Sequence, residues 1–156
     1  MNWPADYLGI GLAVLLGAAI GLEREINRKS AGLRTNMLIC LGAAVFTIIS
    51  RNLTAGVPSD SVSRIAAQVV TGVGFLGAGA IIQDRGGVHG LTTAATIWLV
   101  ASIGMACGAA FYHLAVISTA AAIIVLLGVT PFAKSLERRL QKRRNSQSSG
   151  EAEDKV

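Results

Sequence analysis

Long uncharged stretches dominate this sequence. Residues 7–22 and 35–50 each contain no Asp, Glu, Lys or Arg, and neither do residues 65–83 or the 48 residues of 86–133. A soluble helix of such length carries a charged face, whereas about 18 or more apolar residues in succession are typical of a membrane span. The pattern therefore predicts an all-α membrane protein. It excludes an ordinary soluble enzyme and an outer-membrane barrel, whose strands are short and alternate in polarity.

The same stretches predict a polytopic bundle of about five transmembrane helices. The 48-residue stretch is too long for one span and suits two, because a span needs about 20 residues. With a break near residue 110, the predicted helices cover about 5–23, 34–52, 65–83, 91–110 and 113–132, which together form one membrane domain over about 5–133. The remainder, about 134–156, is basic and then Ser-rich and acidic, and we expect it to be a largely disordered tail.

Basic residues predict the orientation of the helices. Because successive helices cross the membrane in opposite directions, 12 of the 14 Lys and Arg residues lie on the same side of it as the C-terminus. The other two, Arg51 and Arg64, lie on the opposite side. Cytoplasmic segments carry the excess of Lys and Arg. We therefore predict an N-terminus outside the cell and a C-terminus in the cytoplasm. No basic residue precedes the first helix, so it is expected to remain as an anchor and not to be a signal peptide.

Overall composition agrees with a membrane protein. Charged residues make up 15% of the chain, against about 25% in soluble domains. The basic segment 134–144 is expected to face anionic lipid headgroups. No aromatic platform accompanies it, so no nucleic-acid partner is expected. The lipid bilayer is the partner that the composition indicates.

Small residues recur at helical spacing inside the predicted spans, which lets helix backbones approach closely. Residues 72–77 also match the G-x-G-x-x-G pattern of dinucleotide-binding proteins, but that motif needs a preceding strand and an acidic residue about 20 positions further on, where this chain has Ile97. The sequence leaves open whether the packing is within one chain or between copies. The residues assigned to helix packing are Gly9, Ala13, Gly17, Gly21, Gly72, Gly74, Gly77, Gly79, Gly104 and Gly108.

Polar side chains gather where four predicted helices meet the cytoplasmic boundary. They are Glu23, Arg24, Glu25, Arg34, Thr35, Asn36, Asp84, Thr92 and Thr93, with His89 close by in the chain. Such residues serve either as membrane anchors and structural ion pairs or as a functional polar site. A hard cation such as Mg²⁺ would require carboxylates and water, so the identity of any metal stays open and no cofactor is expected. Gln68 lies inside a predicted span. Its amide either forms a hydrogen bond between helices or binds a substrate on its path through the membrane.

Five runs of this sequence resemble the membrane domain of the MgtC/SapB family. They are GLEREI (21–26), AGLRTNML (31–38), RIAAQVV (64–70), GFLGAG (74–79) and GLTTAATIW (90–98). The resemblance covers about residues 8–130. Ser30 stands where Pro is common, Asn36 where His is common and His89 where Arg is common. Because no ACT-like domain follows the last helix, the chain resembles the shorter SapB-type members.

The resemblance implies a multi-pass protein of the bacterial inner membrane. In the family, MgtC is linked to low-magnesium adaptation, to virulence and to inhibition of the F-type ATP synthase, so that enzyme is a partner by resemblance only. We expect a non-enzymatic regulator that contacts other membrane proteins; a transporter of a cation or small solute is the alternative. An intramembrane enzyme is disfavoured, since neither histidine has a catalytic partner at matched depth. Homo-oligomers stay open.

Overall fold

The computed structural model describes residues 3–53, 60–84 and 87–128, and at 60–66 and 84 it describes the backbone only. Five helices lie in this part of the chain: α1 (Trp3–Ile26), α2 (Leu33–Leu53), α3 (Asp60–Gly79), α4 (Leu91–Gly108) and α5 (Tyr112–Gly128). α1, α2 and α4 are long and apolar enough to cross a membrane. The prediction of an all-α membrane protein with about five helices is confirmed. The predicted tail 134–156 lies outside the described residues.

The chain divides into two units, residues 1–120 and 121–156. In the second unit the structure describes the helical residues 121–128 at the end of α5. All contacts discussed below belong to the first unit.

A two-stranded hairpin separates α3 from α4, where the sequence predicted a longer third helix. Strands β1 (Ile82–Asp84) and β2 (Gly87–His89) pair in antiparallel register, with Ile82 opposite His89. Gly87 (φ 124°) and Gly90 (φ 88°) adopt backbone conformations that favour glycine. Strands of three residues are too short to produce a recognisable alternation, which is why the hairpin escaped the sequence pattern.

α1 and α2 pack backbone against backbone. A Cβ atom at Gly17 would lie 2.8 Å from the Cβ of Cys40 and 2.9 Å from the carbonyl oxygen of Asn36. A Cβ at Gly21 would lie 2.8 Å from the Cα of Leu33. Neither position has room for a methyl group, so the two helices approach as closely as small residues allow.

α4 completes a three-helix core with α1 and α2. A Cβ at Gly104 would overlap the carbonyl oxygen of Cys40, and one at Gly108 would overlap that of Ala44. On the other side, a Cβ at Gly9 would lie 2.7 Å from the carbonyl oxygen of Cys107. The side chains enclosed in this core include Ala13, Ile20, Cys40, Val100, Ile103 and Cys107.

α3 contacts the core mainly through α4. A Cβ at Gly77 would meet the carbonyl oxygen of Ala94 at 3.5 Å, and Gly90 abuts the carbonyl of Ala80. Val73 is buried, whereas Phe75 is 81% exposed. These contacts place the start of α4 beside the end of α3. The two ends of the first unit are called below the Glu23 end, with the α1–α2 loop, and the Asp6 end, with the start of α1.

Candidate functional site

A buried ion pair closes α1 at the Glu23 end. Glu23 and Arg24 are 8% and 3% exposed. The Nε of Arg24 donates to one carboxylate oxygen of Glu23, and its Nη2 donates to the other at 2.8 Å. Asn27 donates its amide N–H to the same carboxylate at 2.8 Å. Adjacent residues on a helix do not normally face each other, so this pairing between neighbours is unusual. It lets the two charges neutralise each other inside the protein.

Asn36 ties the start of α2 to the loop before it. Its side chain is fully buried, and its amide nitrogen donates to the carbonyl oxygens of Ala31 and Gly32 at 2.8 Å each. Both carbonyl oxygens accept hydrogen bonds, so the NH₂ group of the Asn36 amide must face them. This fixes the orientation of the amide. The Oδ1 of Asn36 and the Nη1 of Arg24 are buried without a hydrogen-bond partner in the described part of the chain. Each such group typically costs about 1–3 kcal/mol.

Glu25 caps α2. Its Oε2 accepts a hydrogen bond from the backbone N–H of Leu33 at 2.9 Å, and Gly32 lies directly against the carboxylate. A carboxylate at a helix N-terminus satisfies a free N–H and interacts favourably with the helix dipole. Glu23, Arg24, Glu25, Asn27 and Asn36 are together called the α1–α2 corner.

The structure brings part of the predicted polar cluster into this corner and leaves part outside it. Arg34 and Thr35 are exposed on the first turn of α2, while Thr92 is exposed and Thr93 is buried on the first turn of α4. Within the described residues, no hydrogen bond joins Thr92 or Thr93 to the corner. Asp84 has its backbone in β1, and its side chain lies outside the described residues. Among described residues, no group of three His, Cys, Asp or Glu is placed to hold a metal.

A second feature is an open apolar groove of about 600 Å³ between α2 and α3. Its walls include Leu38, Gly42 and Phe46 on α2 and Gln68, Gly72 and Leu76 on α3. Each wall therefore has a glycine between two larger side chains. A Cβ at Gly42 or at Gly72 would have no atom within 4 Å, so the middle of the groove is wide. This set is called the α2–α3 groove.

The predicted packing residues fall into two groups in the structure. The positions with atoms against them are Gly9, Gly17, Gly21, Gly77, Gly104 and Gly108, and Ala13 is fully buried. The positions where an added Cβ would meet no atom within 4 Å are Gly72, Gly74 and Gly79. Within the described chain, no neighbouring helix packs closely against these three α3 glycines.

Sequence reasoning missed a polar network at the Asp6 end. Arg51 of α2 pairs with buried Asp6 of α1 and donates to the carbonyl oxygen of Gly108 at 3.1 Å. The hydroxyl of Tyr112 donates to the carbonyl oxygen of Ala5 at 2.7 Å. The sequence did contain a signal for this network. Asp6 and Arg51 lie near the ends of the first two predicted helices, and these ends meet on the same side of the membrane when successive helices cross it in opposite directions.

Comparison with known proteins identifies the family. A model described as the MgtC family matches residues 10–135. Protein MgtC of Brucella abortus (strain 2308) is 44% identical over 131 residues, which cover 84% of this chain and 54% of that protein. Protein MgtC of Salmonella typhimurium (strain LT2) is 49% identical over 119 residues, covering 76% of this chain and 48% of that protein.

A third relative has a name that refers to magnesium. "Putative magnesium transporter YhiD" of Escherichia coli (strain K12) is 49% identical over 120 residues, covering 74% of this chain and 56% of that protein. The chain thus spans about half the length of the curated relatives it matches. No solved structure matches it. The apolar helices and these relatives indicate a bacterial membrane protein. Because the family model matches most of the chain, this protein belongs to the MgtC family.

Proposed function

We propose that this protein is a non-enzymatic, multi-pass regulator of the bacterial inner membrane that acts by binding another membrane protein. The observation that supports the proposal is the α2–α3 groove, an exposed apolar surface along about two helical turns of α2 and α3 with two unopposed glycines, Gly42 and Gly72. By family resemblance, the regulator acts in low-magnesium adaptation and in virulence. The F-type ATP synthase is its partner by resemblance only.

The groove suits a transmembrane helix of the partner. Helices associate in a bilayer through close van der Waals packing and interhelical hydrogen bonds, because lipid provides little hydrophobic driving force. The wide middle of the groove, between Gly42 and Gly72, accepts a bulky apolar side chain. Gln68, one helical turn from Gly72 on α3, adds an amide for a hydrogen bond between helices. The glycines of α1 and α4 that the core uses, such as Gly17 and Gly104, have no surface left for a partner.

A transporter is the second candidate, and the name of the YhiD relative favours it. Cation transport through the membrane usually relies on acidic side chains that face a water-filled cavity. The two buried acids at the ends of α1, Asp6 and Glu23, are each paired with an arginine instead. This pairing supports structural roles for both acids and makes the regulator the stronger proposal.

Co-purification with matched variants tests the proposal. The intact protein is isolated from its native membrane in a mild detergent, alongside Gly72→Leu, which fills the groove, and Gly11→Leu. Gly11 is also exposed and unopposed, but it lies on α1 outside the groove. We expect one membrane protein to accompany the wild type and Gly11→Leu and to be lost from Gly72→Leu. Retention of that protein by both variants, or magnesium flux into liposomes with the purified chain alone, would contradict the regulator.

A further inference from the structure

Where α1 meets α2, both acids at the end of α1 have hydrogen-bond partners, whereas three bases are exposed around the loop. The carboxylate of Glu23 is held by Arg24 and Asn27, and that of Glu25 by the backbone N–H of Leu33. Three cations, Arg28, Lys29 and Arg34, are exposed around the same loop. In the part of the chain that the structure describes, none of the three has an ion-pair partner. Among the described residues, the fold therefore presents three exposed positive charges without ion-pair partners within seven residues, next to one exposed carboxylate, Glu25, that accepts the N–H of Leu33.

Hydrogen bonds define the backbone of the loop that carries these cations. The N–H of Arg28 donates to the carbonyl oxygen of Glu25 at 3.0 Å, and the N–H of Lys29 donates to that of Arg24 at 3.0 Å. Asn36 fixes the other end of the loop through the carbonyls of Ala31 and Gly32. A loop with a fixed backbone loses little conformational entropy when it binds a ligand. This favours binding at a specific site over non-specific electrostatic attraction.

The position of the loop selects the ligand. It joins two of the helices that are long and apolar enough to cross a membrane, so it lies where the chain leaves the hydrocarbon and enters the headgroup layer. Leu22 and Ile26, on the last turns of α1 before the loop, are 51% and 72% exposed. Exposed apolar side chains followed along the chain by exposed cations match the acyl chains and the phosphate of a phospholipid.

We propose that Arg28, Lys29 and Arg34 bind the phosphate of an anionic phospholipid headgroup. The two guanidinium groups offer paired N–H donors that match phosphate oxygens, and the ammonium of Lys29 adds a compact charge. The hydroxyl of Ser30, exposed between them in the loop, is a further donor. Free inorganic phosphate has the same chemistry, but it cannot use Leu22 and Ile26. This site is separate from the α2–α3 groove and stands without the proposed function.

Lipid binding to the purified full chain in neutral detergent tests the site. Phosphatidylglycerol, phosphatidylcholine and inorganic phosphate are titrated, and bound lipid is counted by native mass spectrometry while the melting temperature is recorded. The triple variant Arg28→Gln/Lys29→Gln/Arg34→Gln is compared with Lys142→Gln/Arg143→Gln/Arg144→Gln, which removes the same charge from the C-terminal tail. We expect affinity for phosphatidylglycerol to fall on the order of a hundredfold in the loop variant, about fivefold per cation. The tail cations are also expected to attract headgroups, but without a built site, so the tail variant should lose clearly less affinity than the loop variant.

Several results would overturn the site. Equal losses in the loop and tail variants would mean that net charge alone attracts the lipid. Unchanged binding in the loop variant would remove the site directly, and equal stabilisation by inorganic phosphate would show that no lipid is needed. If the triple variant does not fold, the single variant Arg34→Gln decides, since Arg34 is exposed and unpaired, and a roughly fivefold loss is expected there.

Discussion

Arg51 of α2 and Asp6 of α1 form an ion pair across the Asp6 end of the molecule, and the same arginine donates to the last carbonyl of α4 at Gly108. Asp6 is buried, whereas Arg51 is about one third exposed. One side chain thereby joins the three helices of the core at the end opposite the α1–α2 corner. A cation at a helix C-terminus also interacts favourably with its unpaired carbonyls.

We predict that Arg51→Gln lowers the free energy of unfolding by about 2 kcal/mol, since it leaves the Asp6 carboxylate buried without its cation while Arg51 itself stays partly in water. The melting temperature in detergent measures the effect. Asp6→Asn/Arg51→Gln should be less destabilised than the two single changes added together, because the pair is coupled. Strict additivity would mean that the pair contributes nothing.

Glycine at position 17 is predicted to be required for packing. Gly17→Ala places a methyl group 2.8 Å from the Cβ of Cys40 and should lower the melting temperature of the protein. Gly11→Ala is the matched control in the same helix, since a Cβ there meets no atom within 4 Å. It should leave the melting temperature unchanged or raise it slightly, as alanine favours helix more than glycine. If both changes have the same effect, the packing argument fails.

The two acids of the corner are predicted to respond differently to neutralisation. Glu23→Gln leaves the guanidinium of buried Arg24 without a counter-charge, which typically costs about 3–5 kcal/mol. Glu25→Gln weakens only the cap on Leu33, at about 1 kcal/mol. Membrane abundance and detergent melting of the two variants check the order. A Glu25→Gln variant that is as unstable as Glu23→Gln would show that the buried pair has no special role.

Orientation in the membrane is predicted from the basic residues and is testable by labelling. Single cysteines at Ser59 and at Ser146 are introduced into a chain without Cys40 and Cys107. An impermeant thiol reagent added to intact spheroplasts should label position 59 and leave position 146 unlabelled. The reverse pattern would invert the predicted topology, with the C-terminus outside.

The long apolar helices α1, α2 and α4 were predictable because hydrophobic runs of this length have few alternatives, and α2 and α4 begin at Leu33 and Leu91, within one residue of the predicted starts. Helix pairing was not predictable. The spacing of Gly17 and Gly21 indicates a close-packed face, but nothing in it names Cys40 and Leu33 of α2 as the neighbours. That choice depends on which faces the other helices leave free.

Within the corner, the sequence indicated which polar residues share a membrane boundary but not how they pair. Spacing along the helix favours Glu25 with Arg28 or Lys29, whereas the structure pairs Glu23 with Arg24 and uses Glu25 as a cap. Asn27, which completes the Glu23 hydrogen bonds, had no distinguishing pattern. Which of several possible partners such a side chain takes depends on the three-dimensional surroundings of the helix end, which a single sequence does not specify.

If the α2–α3 groove receives a helix of another membrane protein, photo-crosslinking in living cells should join the two proteins at the groove. A photoreactive amino acid replaces Phe46, which lines the groove and is 58% exposed, or Leu15, which is 67% exposed on α1 outside it. We expect one discrete adduct with a different membrane protein from position 46, which is absent from position 15 and is lost when Gly72→Leu is added. Adducts that are the same from both positions, that consist of a second copy of this chain, or that persist with Gly72→Leu would contradict it.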